Sequence, residues 1–214
     1  VIFDEIQTLP KEMVMPTLSM LKSVQKVMGT TFLFCTATQP AFEKYEEFDG
    51  IENIQSLVEN TREVYDITRR VEYFSIENYQ PVTIDKLCDK VLQQNESALC
   101  IFNTKKQTLL FFNTLKNRTT DKTYHLSTGM FPAHRKEVIR KIRISLNNNV
   151  KILVSSTQLI EAGVDFDFPT VYREIAPLES IIQSAGRCNR EGKMNNPGKV
   201  YIFSLMDSGA PDKQ

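Results

Sequence analysis

Short apolar runs that break off into clusters of polar side chains recur along this chain, and no other feature narrows the fold as much. Val1-Ile2-Phe3 runs into Asp4-Glu5-Ile6-Gln7, and Phe32-Leu33-Phe34-Cys35 into Thr36-Ala37-Thr38-Gln39-Pro40. A third run, residues 150–154, leads into Ser155-Ser156-Thr157-Gln158-Leu159-Ile160-Glu161-Ala162-Gly163-Val164-Asp165. Strands apolar on both sides are buried on both sides, as in parallel sheets covered by helices. Helical periodicity between such runs predicts helices over 17–28, 83–94, 107–116, 133–146 and 178–189, and a helix with irregular chain around 41–60. Strands are expected at 98–102, 123–126, 150–155, 170–174 and 199–204. Strands alternating with helices imply an α/β fold, a mostly parallel sheet with helices on both faces.

In open sheets of this kind ligands bind at the carboxyl ends of the strands, so the polar clusters are the candidate site. Asp4 and Glu5 end an apolar strand as adjacent carboxylates. Phosphoryl transfer to water needs one carboxylate for Mg²⁺ and another to orient the attacking water, and this pair fits those roles. A strand followed by an acidic turn is the plain alternative. Gln183-Ser184-Ala185-Gly186-Arg187-Cys188-Asn189-Arg190 supplies the opposite charge. On a helix Gln183, Arg187 and Arg190 fall at i, i+4 and i+7, one amide and two guanidiniums on one face, with Gly186 allowing a close backbone approach. Such a face suits a triphosphate; a solvated basic helix end stopped by Gly192 is the bland alternative.

Taken in order, these blocks resemble superfamily 2 helicases: Asp4–Gln7 as motif II, Thr36–Thr38 as motif III, Ser155–Asp165 as motif V and Gln183–Arg190 as motif VI. Gln at the end of motif II, Thr-Gln-Pro in motif III and Ser-Thr-Gln-Leu-Ile-Glu-Ala-Gly-Val-Asp in motif V are similar to the CRISPR-associated helicase-nucleases of type I interference systems. Motif III opens on Thr36 where Ser is usual, which keeps a hydroxyl. The resemblance implies a RecA-like fold with a partial first lobe (1–70), an inter-lobe segment (71–82), a complete second lobe (83–206) and a tail (207–214). It implies ATP and Mg²⁺ as cofactors, Asp4 holding the metal, Glu5 placing water, and Arg187 and Arg190 clamping the γ-phosphate from the second lobe. Gln7, Thr36 and Thr38 would couple hydrolysis to movement. Asp165 would face the nucleotide beside Gln183, and Thr157 a DNA phosphate. Asn103-Thr104 matches the Asn-Thr of motif IV, where phosphates are held without reading bases, and is equally a helix cap.

No Gly-x-x-x-x-Gly-Lys-Ser/Thr phosphate loop occurs among these residues, and neither histidine, His125 or His134, has a neighbouring Asp as a His-Asp nuclease centre requires. The chain also starts inside a strand without Met, so a fragment of a longer polypeptide is expected, inactive alone. Its expected partners are the missing phosphate-loop lobe and nuclease domain, single-stranded DNA and a CRISPR RNA-guided surveillance complex. Another superfamily 2 motor, such as an RNA helicase or restriction translocase, and a non-catalytic nucleic-acid-binding module are the alternatives.

Composition, 41% apolar and 24% charged, suits a chain with a sizeable core, and no apolar run approaches a membrane span, so no membrane role and a cytoplasmic location are expected. Cys35, Cys88, Cys100 and Cys188 are too far apart to read as a zinc site. Residues 1–98 hold 9 Lys+Arg against 16 Asp+Glu and residues 99–214 hold 17 against 10, so the zero net charge conceals a second half of +7. That half is the one suited to polyanions. Its densest basic cluster, Arg135, Lys136, Arg140, Lys141 and Arg143, lies on a helical pattern and is either a solvated face or, at Arg135, a phosphate contact. His125 reads as a packed or surface histidine.

Overall fold

The computed structural model describes residues 1–4, 6, 9–35, 54–160 and 164–206. The chain divides into two compact units, Val1–Tyr65 and Asp66–Gln214. In the first, β1 (Ile2–Asp4) pairs in parallel with β2 (Leu33–Cys35), Asp4 opposite Cys35. The connection contains α1 (Lys11–Met28), which buries Leu18 and Leu21 against Ile6, with Val14, Phe3, Phe32 and Phe34 packed around them. This helix begins well before the expected residue 17, running through Pro16. Proline cannot donate to the carbonyl a turn earlier, but Pro16 is exposed and water can serve that carbonyl instead. Gly29, in the left-handed conformation (φ 61°), ends the helix by donating to Gln25 O.

α2 (Thr61–Ile67) spans the boundary between the units. The expected helical segment at 41–60 lies outside the described residues up to 53, and 54–60 is non-helical.

The second unit is a seven-stranded sheet in the order β3-β9-β8-β5-β7-β6, with β4 also pairing with β9. In chain order its elements are β3 (Val71–Ser75), β4 (Pro81–Val82), α3 (Ile84–Gln93), β5 (Ala98–Phe102), α4 (Lys105–Arg118), β6 (Lys122–Leu126), α5 (Pro132–Asn147), β7 (Ile152–Thr157), β8 (Thr170–Glu174), α6 (Leu178–Ala185) and β9 (Gly198–Leu205). Every pairing among the described residues is parallel.

Side chains alternate across this sheet. Leu99, Ile101, Ile152, Val154, Val171 and Val200 face one core, closed by Val138 and Ile142 of α5 and Ala185 of α6. Ala98, Cys100, Phe102, Leu153, Tyr172 and Phe203 face the other, closed by Leu87 and Val91 of α3 and Phe111 and Leu115 of α4. Burial on both faces explains why β5 reads as an unbroken apolar run. Residues 71–82, expected to link two lobes, are built into this sheet: Val71–Ser75 aligns with Gly198–Ile202, and Pro81–Val82 with Ser204–Leu205. An edge position explains their weak sequence signal, since only one neighbour shields them.

Candidate functional site

The arginine-bearing segment departs from the helix expected over 178–189. α6 ends at Ala185, and Gly186 closes it by donating to Ile182 O at 2.9 Å. Beyond it the backbone takes a different partner. Phe168 N–H donates to Arg187 O and Asn189 N–H to Phe168 O, both at 2.9 Å, forming a parallel bridge between Phe168 and Cys188. These bonds to Phe168 replace the helical ones, and Asn189 turns the chain with φ 45°. Gln183, Arg187 and Arg190 therefore do not share a helix face.

Their environments differ accordingly. Gln183 is half-buried on α6. Arg187 is buried, its Nε donating to Ile160 O at 3.0 Å, and so ties this segment to the turn following β7. Arg190 is exposed, with Nη2 2.9 Å from Asp165 Oδ1. Gly186 is exposed, and a Cβ there would meet Gln183 O at 3.3 Å and Ile182 O at 3.7 Å.

The backbone beneath Arg190 is pinned from several sides. Asp167 accepts from Arg190 N–H at 2.8 Å and Glu191 N–H at 3.2 Å, and the Arg70 guanidinium donates to Arg190 O. Asn189 Nδ2 donates to Arg70 O at 3.1 Å, while its Oδ1 accepts from Met194 N–H. Asp167, Arg70 and Asn189 carried no signal in the sequence beyond lying near the arginines or near β3, because their partners come from distant parts of the chain.

At the carboxyl edge of the sheet the candidates fall on neighbouring strands. Thr157 ends β7 opposite Phe102, the last residue of β5, so it sits beside Asn103 and Thr104. It is buried, and its Oγ1 has no hydrogen-bond partner among the described residues. Thr104 caps α4, accepting from Gln107 N–H at 3.2 Å, so the capping alternative is realised.

Asn103 is occupied internally: its backbone N–H donates to Glu174 Oε2 at 2.7 Å, its Nδ2 to Ile175 O, and its Oδ1 accepts from Arg173 Nη1, both at 2.8 Å. Through these bonds the Asn103 side chain orders the loop, and its second amide N–H is not used by them. Burial raises the Glu174 carboxyl pKa, opposed by the Asn103 N–H, the Gln107 amide at 3.2 Å and the charge of Arg173. Arg135, half-buried in the first turn of α5, has no salt bridge among the described residues, whereas Arg140 and Lys141 further along share Glu137. His125 packs on Phe112, its Nε2 3.2 Å from Ser127 Oγ, and burial lowers its pKa.

Residues 94–193, the span that carries β5, the motif V strand and both arginines, match the family model described as CRISPR-associated nuclease/helicase Cas3, C-terminal. Over this span the chain is similar to the C-terminal part of Cas3 helicases. Cas3 nuclease/helicases of Haloferax volcanii (40% identical over 90 residues, 42% of this chain and 9% of the relative) and Methanothermobacter thermautotrophicus (25% over 216 residues, 97% and 26%) are among its relatives. The fold is similar to that of T. fusca Cas3 in a crystal structure with AMPPNP, with TM-score 0.56 and 18% identity over 65% of this chain and 18% of that one. The chain thus spans about a tenth to a quarter of the length of the curated Cas3 relatives it matches.

Of the expected Cas3 motif II and III residues, Glu5, Gln7, Thr36 and Thr38 lie outside the described residues. Asp4, in the first unit, is exposed at the carboxyl end of β1, which fits a carboxylate meeting Mg²⁺ through water. An exposed guanidinium on a fixed turn, as at Arg190, fits a phosphate oxygen. Among the described residues no group of three or more His, Cys, Asp or Glu could hold a metal ion, and the thiols of Cys88, Cys100 and Cys188 are buried. No helix among them is long and apolar enough to cross a membrane.

Proposed function

We propose that this chain is part of an ATP-dependent DNA translocase acting in CRISPR interference, in which the second unit lends Arg190 to the γ-phosphate of ATP. The observation carrying the proposal is the contrast between the two arginines: Arg190 is exposed on a pinned backbone, while Arg187 is buried and donates to Ile160 O. ATP supplies the phosphoryl group and Mg²⁺ neutralises the charge developing on it. Arg190 stabilises that charge, and Asp4 holds the metal. Glu5 orients water. Arg187 links this response to the motif V turn, with Asp165 releasing Arg190 as the phosphate competes for it, and Gln183 lines the same side. Gln7, Thr36 and Thr38 relay the change within the first unit.

At the carboxyl edge Thr104, Thr157 and Arg135 hold DNA phosphates, with Asn103 ordering the loop. Contacts to phosphate alone suit sequence-independent movement along a single strand. The remaining Cas3 polypeptide, with its phosphate-loop lobe and nuclease domain, and an RNA-guided surveillance complex are the proposed partners. The isolated chain, with no phosphate loop in its sequence, is proposed to lack ATPase activity. In the complete protein Arg190→Ala should lower DNA-stimulated turnover about 10³-fold or more while weakening ATP binding much less, and Lys should rescue poorly. Unchanged steady-state kinetics for that variant would end this assignment.

A further inference from the structure

Two helices in the second unit carry charge against their own dipoles. α1, α2, α3 and α6 each have an acid in the first turn, where the helix end is positive. α4 and α5 have none. They open instead on Lys105 and Lys106, and on His134 and Arg135 followed by Lys136. None of Lys105, Lys106, Arg135 or Lys136 has a salt bridge among the described residues, although Glu137 neutralises Arg140 and Lys141 one turn further along α5.

These two helices pack on opposite faces of the sheet but start at one edge of it. β5 and β6 lie on either side of β7 in parallel, so both helices begin at the same sheet edge, with the unpartnered, buried Thr157 hydroxyl between them. The Lys105 stem crosses toward the β6–α5 loop, its Cδ 3.6 Å from where a Cβ on Gly129 would lie. Two residues on from Gly129, Phe131 stands 75% exposed.

Phe131 is the N-cap of α5 and makes no side-chain capping bond. Ser, Thr, Asp or Asn would cap this helix better, and an exposed ring gains nothing from burial. Pro132, in the first helical position, fixes the backbone next to it. The ring therefore stands in solvent on a restricted backbone, beside cations without a salt bridge among the described residues, at a position where local stability would prefer another residue.

We propose that Phe131 is a stacking platform for one nucleobase of a single strand whose phosphates lie on the starts of α4 and α5. This rests on the proposed nucleic-acid path along this edge and adds to it a contact with a base. A base has an apolar face and is joined to phosphates, so it matches both the ring and the surrounding charge; base-on-aromatic stacking is also indifferent to sequence, as translocation requires.

The test uses the 214-residue chain at low salt, wild type and Phe131→Ala, each titrated with an oligothymidylate and with an abasic strand of equal length. Wild type should bind the base-bearing strand about tenfold or more tighter than the abasic one, and Phe131→Ala should bind both at about the abasic affinity. The chain has no tryptophan, so Phe131→Trp adds a single fluorophore. Its emission should be quenched by the base-bearing strand and not by the abasic one. If Phe131→Ala keeps the preference for bases, or the Trp emission responds alike to both strands, the platform is refuted while the phosphate path stands. If wild type binds neither strand, the path itself fails and the platform with it.

Discussion

Gly198 offers a test of how the arginine turn is held. At the start of β9, outside the left-handed region of φ, it faces Cys188 and Asn189, and a Cβ there would lie 2.5 Å from Cys188 Sγ, 3.0 Å from Asn189 Cβ and 3.3 Å from Pro169 O. With open space, Gly198→Ala would stabilise the chain by about 0.4–1 kcal/mol, because alanine loses less backbone entropy on folding. The crowding reverses that sign, since overpacking a buried site costs about 1–3 kcal/mol. A domain of this size loses about 2–4 °C of melting temperature per kcal/mol, so Gly198→Ala should melt about 2–12 °C below wild type by circular dichroism. Cys188→Ala removes the atom in closest approach while giving up its thiol contacts to Pro169 O at 3.3 Å and Lys199 O at 3.5 Å. In that background Gly198→Ala should cost at least about 1 kcal/mol less, a coupling expected of touching residues. An equal cost in both backgrounds, or a raised melting temperature for the single variant, would refute the packing of Cys188 against β9.

Two further outcomes follow from burial. Arg187→Ala should lower stability by about 1–3 kcal/mol by leaving Ile160 O without its buried donor, while Arg190→Ala, which breaks a surface ion pair, should stay within about 1 kcal/mol of wild type in a urea melt. Burial pushes the Cys88 and Cys188 thiols up to about 12 and Cys100 well above its usual value. Because only the thiolate reacts, and at pH 8 a thiol of pKa about 12 is ionised to roughly one part in 10⁴, a chromogenic disulfide should label Cys35 fast and the other three only on unfolding. Rapid labelling of more than one thiol in the native chain would show that the core opens more readily than its packing implies.

The strands that could be placed from sequence are those whose own composition decides their fate. Residues 98–102 and 170–174 coincide with β5 and β8, since strands buried on both faces need unbroken apolar character or internally satisfied polar groups. The carboxyl-edge clustering of Asn103, Thr104 and Thr157 was likewise legible, because a parallel sheet aligns the strand ends whatever the intervening lengths. The end of α6 was not. Helical spacing runs unbroken through Asn189, and what stops the helix is the backbone of Phe168, a partner that only the tertiary fold supplies. The internal use of Asn103 escaped for the same reason: Glu174, its main partner, is distant in sequence and ends a strand that is buried along its whole length.

Separating the arginines by environment gives the site a division of labour that a shared helix face would not. A residue that must answer a phosphate delivered by another part of the protein needs a fixed base and a cheaply released side chain. Arg190 has both: Asp167 and Arg70 hold its backbone, and its ion pair with Asp165 joins two groups that are 43% and 76% exposed. Such a pair is worth about 1 kcal/mol or less, so in the proposed role a triphosphate, able to take a guanidinium through two parallel charge-assisted bonds, would displace Asp165 at little cost. Arg187 cannot make that exchange cheaply, because leaving Ile160 O would strip a buried acceptor of its donor. It is suited instead to carry any shift of the turn into motif V. Since Ile160 follows β7 by three residues, a displacement passed through Arg187 reaches the strand end that holds Thr157, on the proposed DNA side, without a rearrangement of the sheet.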